Sequence, residues 1–283
     1  MTRPHGLSAL LGILGTTVLL AQGLPVKSPG NLGVIPHRVV IQGRDRAAEI
    51  MLRNEDTVPA VYRILIKEMD MKPDGSLEDR PHKEGEVTAA DLIRMTPRQV
   101  ELKPGETQMV RFQLRKPENL PDGEYRSHVH FQAVPPPKPP ATPGEGAEQT
   151  MNFEITPVFG ITIPLIVRQG NVTTDIKLGQ MKLIPPKAEG HPPFLSVDLL
   201  RSGNGSVLGD IQVSVEKGSK LSHGTVLGVA KGIGIYGGLD HRTHLLSLLH
   251  ASQGELGGSR LKVVFTPTDG AKTPQTAFFD VSE

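Results

Sequence analysis

The sequence predicts an all-β protein made of two β-sandwich domains. Glycine (31 residues) and proline (25 residues) are both abundant, as expected for many short strands joined by turns. Apolar residues alternate with a period of two in successive segments of regular spacing, whereas helical periodicity is scarce. A chain of 283 residues is also long enough for two domains of ordinary size.

The strands predicted for the first domain begin after residue 33. They run from Val34 to Ile41, from Ala47 to Arg53 and from Ala60 to Met69, the last with a bulge because its apolar residues break strict alternation. We assign residues 24–168 to this domain, with an exposed proline-rich loop at residues 135–149. Residues 169–283 then form a smaller second sandwich.

The N-terminus is typical of a cleaved signal peptide. Arg3 precedes an apolar run from Leu7 to Leu20, and the small residues Ala21 and Gly23 follow at a suitable cleavage position. The alternative is a single anchoring helix, but the run is short for a membrane span of about 20 residues. We therefore assign residues 1–23 to the signal and expect no stable membrane insertion after its removal.

Composition excludes several classes of function. The formal charge is +1, from 31 basic and 30 acidic residues, so no overall field attracts nucleic acid. The absence of cysteine excludes disulfides, thiolate metal sites and cysteine nucleophiles. No G-x-S-x-G motif occurs, so a seryl nucleophile lacks support. We predict a protein that is not an enzyme and uses no cofactor.

Two motifs suggest ligands but lack the context that such ligands need. Gly232, Gly234 and Gly237 satisfy G-x-G-x-x-G, yet no helix-forming sequence follows to bind a pyrophosphate. The histidine pairs, His128 with His130 and His241 with His244, have no well-placed third ligand. We predict neither a nucleotide site nor a metal site.

The stretch "MNFEITPVFGITIPLIVRQG", residues 151–170, is the most distinctive of the chain. Its apolar residues share one parity, which predicts a strand much longer than usual. Exposed to solvent, such a row would invite pairing with another chain. We expect Ile161 to Val167 to close the first sandwich. The part before it either packs on the same core or is available to a partner. The alternating residues are Met151, Phe153, Ile155, Phe159, Ile161, Ile163, Leu165 and Val167.

Several segments of the first domain resemble a known family. "HRVVIQGRDRAAEIMLRNEDTVPAVYRI" is similar to the opening strands of the periplasmic pilus-assembly chaperones of the chaperone–usher pathway, the PapD-like type. "MTPRQVELKPGETQMVRF", "LPDGEYRSHVHFQAVPP" and "ITIPLIVR" resemble later strands of that family in the same order. The resemblance covers roughly residues 34–168 and implies two immunoglobulin-like sandwiches arranged at an angle.

The resemblance also implies a function and a set of site residues. These chaperones complete an unfinished pilus subunit with one of their own strands, and deliver it to an outer-membrane usher. Arg38 matches the arginine that holds the subunit's terminal carboxylate. Pro164 stands where the family has a second, lysine anchor, and we assign no such role to Arg168. The donor-strand positions are Met151, Phe153, Ile155, Pro157 and Phe159.

A different class of function is left open by the residues themselves. A secreted adhesive or carbohydrate-binding pair of immunoglobulin-like modules would use its loops, and the long apolar strand would be core. Aromatic residues make up only 4% of the chain, which disfavours sugar stacking. We therefore favour the periplasmic chaperone, with pilus or fibre subunits and the usher as partners.

Overall fold

The computed structural model describes residues 31–282 except 136–157, 187, 189 and 219. The predicted signal peptide, nearly all of the proline-rich loop and donor positions 151 to 157 lie outside the described residues. The strands are β1 Leu32–Ile35, β2 Val39–Ile41, β3 Ala47–Asn54, β4 Ala60–Met71, β5 Leu77–Arg80, β6 Ile93–Thr96, β7 Gln99–Leu102, β8 Thr107–Leu114, β9 Gly123–Val134, β10 Gly160–Gln169, β11 Thr174–Ile184, β12 Phe194–Gly203, β13 Val207–Lys217, β14 Val226–Ile235, β15 His241–Ser247, β16 Arg260–Asp269 and β17 Gln275–Asp280. Two short helices, α1 Ala89–Leu92 and α2 Gln253–Leu256, complete the described elements.

The fold is all-β, with two immunoglobulin-like sandwiches, as predicted. In the N-terminal sandwich a four-stranded sheet has the order β1-β3-β8-β6, and the facing sheet has the order β2-β10-β9-β4-β5, with β7 also paired to β4. In the C-terminal sandwich a sheet of order β11-β12-β15 faces one of order β14-β13-β16-β17. Each sandwich has its own apolar core: the first ends at Val167 and the second begins at Ile176.

The first core is filled by aromatic and branched side chains from both sheets. Tyr62, Phe112 and Phe131 are its largest fully buried residues. Burial of a side chain of this size contributes about 1.5–3 kcal/mol to the free energy of folding. Ile163, Leu165 and Val167 of β10 point into the same core. This confirms the prediction that the alternating residues of this segment close the first sandwich.

Two details of the predicted strands are wrong. The segment from Val34 to Ile41 is not one strand: β1 pairs with β3 in one sheet, and β2 pairs with β10 in the other. The chain crosses between the sheets at the cis peptide bond before Pro36. The predicted bulge in β4 is also absent where β4 pairs with β9, because that register is continuous.

The second sandwich contains a strand that the sequence did not indicate. β14 includes Gly232 and Gly234 of the glycine string, and it pairs with β13. Gly232 donates its N–H to the Oδ1 of Asp210 at 2.9 Å. The string therefore forms an edge strand followed by a turn, which is not the geometry of a phosphate-binding loop. No helix among the described residues is both long and apolar enough to cross a membrane.

Candidate functional site

Strand β10 leaves half of its outer edge without a partner in the part of the chain that the structure describes. It pairs with β9 along its whole length, from Gly160 to Gln169. On the other side β2 covers only residues 165–167, in parallel orientation. The edge from Gly160 to Pro164 is therefore open, and backbone groups on such an edge can pair with another chain.

The direction of the backbone groups on β10 follows from one hydrogen bond. Ala133 of β9 donates its N–H to the carbonyl of Phe159 at 3.0 Å. The β9–β10 register is continuous, and antiparallel strands alternate between bonded and non-bonded pairs. Odd-numbered residues therefore bond to β9, and the even-numbered Gly160 and Thr162 direct their N–H and carbonyl groups to the open edge.

Phe159 is the one predicted donor residue within the described chain. Phe159 precedes β10 and is 50% exposed as a residue, and the neighbouring Val158 is 48% exposed. Both lie beyond the point where the core-facing alternation ends, since Ile161 is partly buried and Ile163 is buried. Phe159 is thus not a core residue of the first sandwich. Met151, Phe153, Ile155 and Pro157 lie outside the described residues.

Arg38, the predicted carboxylate anchor, lies directly before β2 and contacts the second sandwich. Its Nη2 donates to the Oδ2 of Asp269 at 2.9 Å and to the Oγ of Ser206 at 3.0 Å. The side chain is only 13% exposed. Its Nε and Nη1 are buried and have no hydrogen-bond partner among the described residues. Arg38 is therefore not a solvated edge charge, and part of its guanidinium is unused.

Arg168, which sequence reasoning set aside, is the centre of the same cluster. Its Nη1 and Nη2 donate to the two carboxylate oxygens of Asp269, at 2.6 and 3.0 Å. Its Nε donates to the Oε2 of Glu124 at 3.0 Å. The same Glu124 oxygen accepts from the N–H and Oγ of Ser206, so the cluster links the two sandwiches. We call Arg38, Arg168, Glu124 and Asp269 the inter-sandwich cluster.

Electrostatics in the inter-sandwich cluster favour the charged forms. Burial disfavours the charge of Asp269, but the hydrogen bond from Arg168 and the charges of both arginines outweigh it and lower the carboxyl pKa. Burial likewise opposes the charge of Arg168, yet the bonds and charges of Asp269 and Glu124 raise its pKa. Two cations therefore face two anions, and the cluster is close to neutral.

A second contact between the sandwiches is formed by Tyr236 and strand β9. The guanidinium of Arg126 lies 4.4 Å from the centre of the Tyr236 ring, and His128 meets the same ring edge-on at 5.5 Å. His128 is fully buried, and both of its ring nitrogens lack a partner among the described residues. Burial, followed by the charge of Arg126, lowers its pKa to about 3. The imidazole is thus neutral at ordinary pH.

The histidines have no metal-binding geometry in the described chain. His130 contacts the Oγ1 of Thr162 at 2.8 Å through Nδ1, and His241 lies 3.2 Å from the Oδ1 of Asp198. No group of three or more potential ligands occurs within the ranges that the structure describes. What the site offers instead is an open backbone edge that leads to a partly unused guanidinium. Such an arrangement can bind an extended peptide that carries a carboxylate.

Comparison with known proteins identifies the family. Residues 31–171 match the model of the pili and flagellar-assembly chaperone, PapD N-terminal domain. The chain belongs to the PapD-like family of pilus-assembly chaperones. This family consists of chaperones and is not a family of enzymes. No curated protein sequence matches this PapD-like chaperone.

The solved structures that are similar over most of the PapD-like chaperone include chaperones and chaperone complexes. The CupB2 chaperone of Pseudomonas aeruginosa is 14% identical, with a TM-score of 0.43, over 88% of this chain and 100% of that chain. The SafA pilin in complex with the SafB chaperone, from Salmonella enterica, is 13% identical with a TM-score of 0.41. The match covers 88% of this chain and 97% of that chain. The CsuC–CsuE chaperone–tip adhesion subunit complex of Acinetobacter baumannii is 13% identical with a TM-score of 0.41. The match covers 89% of this chain and 99% of that chain.

Proposed function

We propose that this chain is a periplasmic chaperone that binds fibre subunits by donor-strand complementation and delivers them to an outer-membrane usher. The observation that carries the proposal is that the open edge of β10 ends beside Arg38. In the parallel register, Leu165 lies opposite Val39, so Arg38 is adjacent to the last open position, Pro164. A client strand on this edge therefore reaches the guanidinium where the edge closes.

The direction of the client follows from this geometry. Its terminal carboxylate binds the unused Nε and Nη1 of Arg38, at the Pro164 end of the edge. Its preceding residues then lie along positions 163 to 160, so the client strand runs parallel to β10. Backbone hydrogen bonds supply affinity, and the alternating side chains supply specificity.

The donor side chains belong to the segment before β10. Met151, Phe153, Ile155, Pro157 and Phe159 enter the groove that the missing strand leaves in the subunit. Each large apolar side chain buried there contributes about 1.5–3 kcal/mol before ordering costs are subtracted. The exposure of Phe159 supports this role, because an exposed phenylalanine next to an open strand edge is an aggregation hazard unless a partner covers it. The first, client-binding domain ends at residue 168 in this proposal, and cleavage after residue 23 releases the chaperone into the periplasm.

Co-expression with the fibre subunit encoded beside this gene tests the donor strand. Phe159→Asp and Phe153→Asp should abolish recovery of the subunit with the tagged chaperone, because a carboxylate cannot enter an apolar groove. Met109→Asp is the matched control, since Met109 is 45% exposed but lies on β8, away from the edge. Unchanged subunit recovery with both donor variants would exclude donor-strand complementation.

A parallel test addresses the anchor. Arg38→Ala should abolish subunit recovery while the chaperone itself remains folded. Arg111→Ala is its control, because Arg111 forms an exposed ion pair with Glu49 on the N-terminal sandwich. Equal recovery with the two alanine variants would remove the anchor from the proposal. Binding of glycans in the absence of any subunit would instead favour the adhesin alternative.

A further inference from the structure

The outer edge of β10 is divided at Pro164 into a part that pairs within the chain and a part that is open. From Leu165 onward β2 supplies the partner strand, with Leu165 opposite Val39. Before Pro164 no partner strand is present in the described ranges. Pro164 therefore lies between Leu165, the first residue that β2 covers, and the open part of the edge.

Pro164 differs from the other outward-facing residues in its backbone. Gly160 and Thr162 each present an N–H and a carbonyl to the open edge, by the alternation that the bond from Ala133 to Phe159 establishes. Pro164 has no N–H, and its carbonyl is directed at the N–H of Val39, because Leu165 lies opposite Val39 and even-numbered residues of β10 bond on the outer side. Proline is tolerated in strands at such edge positions, where no ladder bond is lost within the protein. Pro164 thus offers a client strand neither a donor nor an unused acceptor.

The nearby cations differ in what they can still donate. All three donor nitrogens of Arg168 are used, by Glu124 and Asp269. Arg38 uses Nη2 alone, so Nε and Nη1 are its unused donors among the described residues, and it directly precedes Val39, which lies opposite Leu165. A carboxylate at this end of the edge therefore finds a guanidinium but no backbone donor.

We propose that Pro164 ends the client ladder and leaves the client's terminal carboxylate to Arg38 alone. This inference rests on the proposed function and goes beyond it, because it assigns a positioning role to the residue that stands where the family has a lysine. The last ladder bonds form at Thr162. The client chain then leaves the edge, and its carboxylate turns to the guanidinium. Recognition at this end selects a free chain terminus, since a neutral terminus has no other partner there.

A double-mutant cycle tests this role. The probe is a fluorescent synthetic peptide with the sequence of the neighbouring subunit's carboxyl-terminal strand, prepared as the free acid and as the amide. Its affinity is measured by anisotropy for the unchanged chaperone, Arg38→Ala, Pro164→Ala and the double variant. With Pro164 present, Arg38→Ala should weaken binding of the free acid about tenfold or more.

An N–H restored at position 164 by Pro164→Ala should make the affinity for the peptide less dependent on Arg38. In the Pro164→Ala background, the factor by which Arg38→Ala weakens the affinity for the free acid should be about fivefold smaller. This is the change in affinity expected for one net backbone hydrogen bond. The amide should bind weakly to the unchanged chaperone and respond little to Arg38→Ala. A merely structural role of Pro164 would change all affinities together and leave this ratio unaltered.

The control is Pro104→Ala, which removes an exposed turn proline between β7 and β8. It should leave the effect of Arg38→Ala unchanged. Arg38→Ala could weaken the affinity for the free acid equally with proline and with alanine at position 164, or Pro104→Ala could reduce that loss as much as Pro164→Ala does. Either result refutes the role of Pro164 and leaves the proposed function standing. If the unchanged chaperone binds neither peptide, the proposed function and this inference both fail.

Discussion

Asp269 provides the sharpest test of the inter-sandwich cluster. Its two oxygens accept three hydrogen bonds from Arg168 and Arg38, whose side chains are only 9% and 13% exposed. Asp269→Asn keeps the shape of the side chain but leaves two buried cations facing Glu124 alone. Breaking a buried ion pair typically costs about 3–5 kcal/mol. Asp269 is itself 24% exposed, so we expect a loss at the lower end, about 3 kcal/mol in the free energy of unfolding.

Urea unfolding followed by far-UV circular dichroism measures this loss, because the chain has no tryptophan. The control is Asp79→Asn, which removes an exposed ion pair with Lys67 and should cost less than about 1 kcal/mol. A cycle with Arg168→Ala and Asp269→Ala should give a coupling energy of about 2 kcal/mol. If Asp269→Asn costs no more than Asp79→Asn, or if the two alanine effects are additive, the cluster does not hold the sandwiches together.

Two further predictions concern the interior. His128 has a folded-state pKa of about 3, below the ordinary 6.5, so the unfolded chain binds more protons and stability should fall as pH drops from 6.5 towards 3. His128→Leu should make the urea midpoint less sensitive to pH in that window, and an unchanged slope would contradict the assignment. Phe112→Ala should cost about 3–5 kcal/mol in urea unfolding, because it empties the centre of the first core. A loss below that of the surface variant Met109→Ala would be inconsistent with the core described.

The features that the sequence predicted correctly depend on local pattern. Alternation in residues 161–167 predicted a core strand, because the side chains of successive strand residues point to opposite faces. The chain turns between β12 and β13 at a segment rich in glycine and asparagine, residues that are typical of turns. Gly203 there has a φ of 97°, and a Cβ at this position would lie 2.2 Å from the carbonyl of Thr173.

The features that the sequence did not predict depend on distant partners. Alternation cannot assign β1 and β2 to different sheets, since each strand is defined by what it pairs with. In β4 the mixed apolar pattern suggested a bulge, yet Tyr62 and Ile64 lie in strict alternation and Val61 is merely half-exposed. β14 was missed because its glycines give no apolar period.

The role of Arg168 was likewise beyond sequence reasoning. Its carboxylate partners are 44 and 101 residues away, and no spacing rule joins them. Arg38 could be singled out because it matches a family motif, but the same motif gave no indication of its bond to Asp269. Arg38 of the proposed carboxylate site could therefore be predicted, whereas the neutral cluster around it becomes evident only from the fold.

If the proposed function holds, the inter-sandwich cluster also limits how strongly Arg38 attracts a client. Its charge is shared with Asp269, at 2.9 Å, and the cluster of two cations and two anions is neutral before any client binds. An additional carboxylate therefore gains less than it would from an isolated arginine. In the proposed function, affinity must come mainly from the backbone ladder and from the apolar donor side chains. The anchor then fixes where the client chain ends, as charged groups at interfaces commonly contribute more to specificity than to affinity.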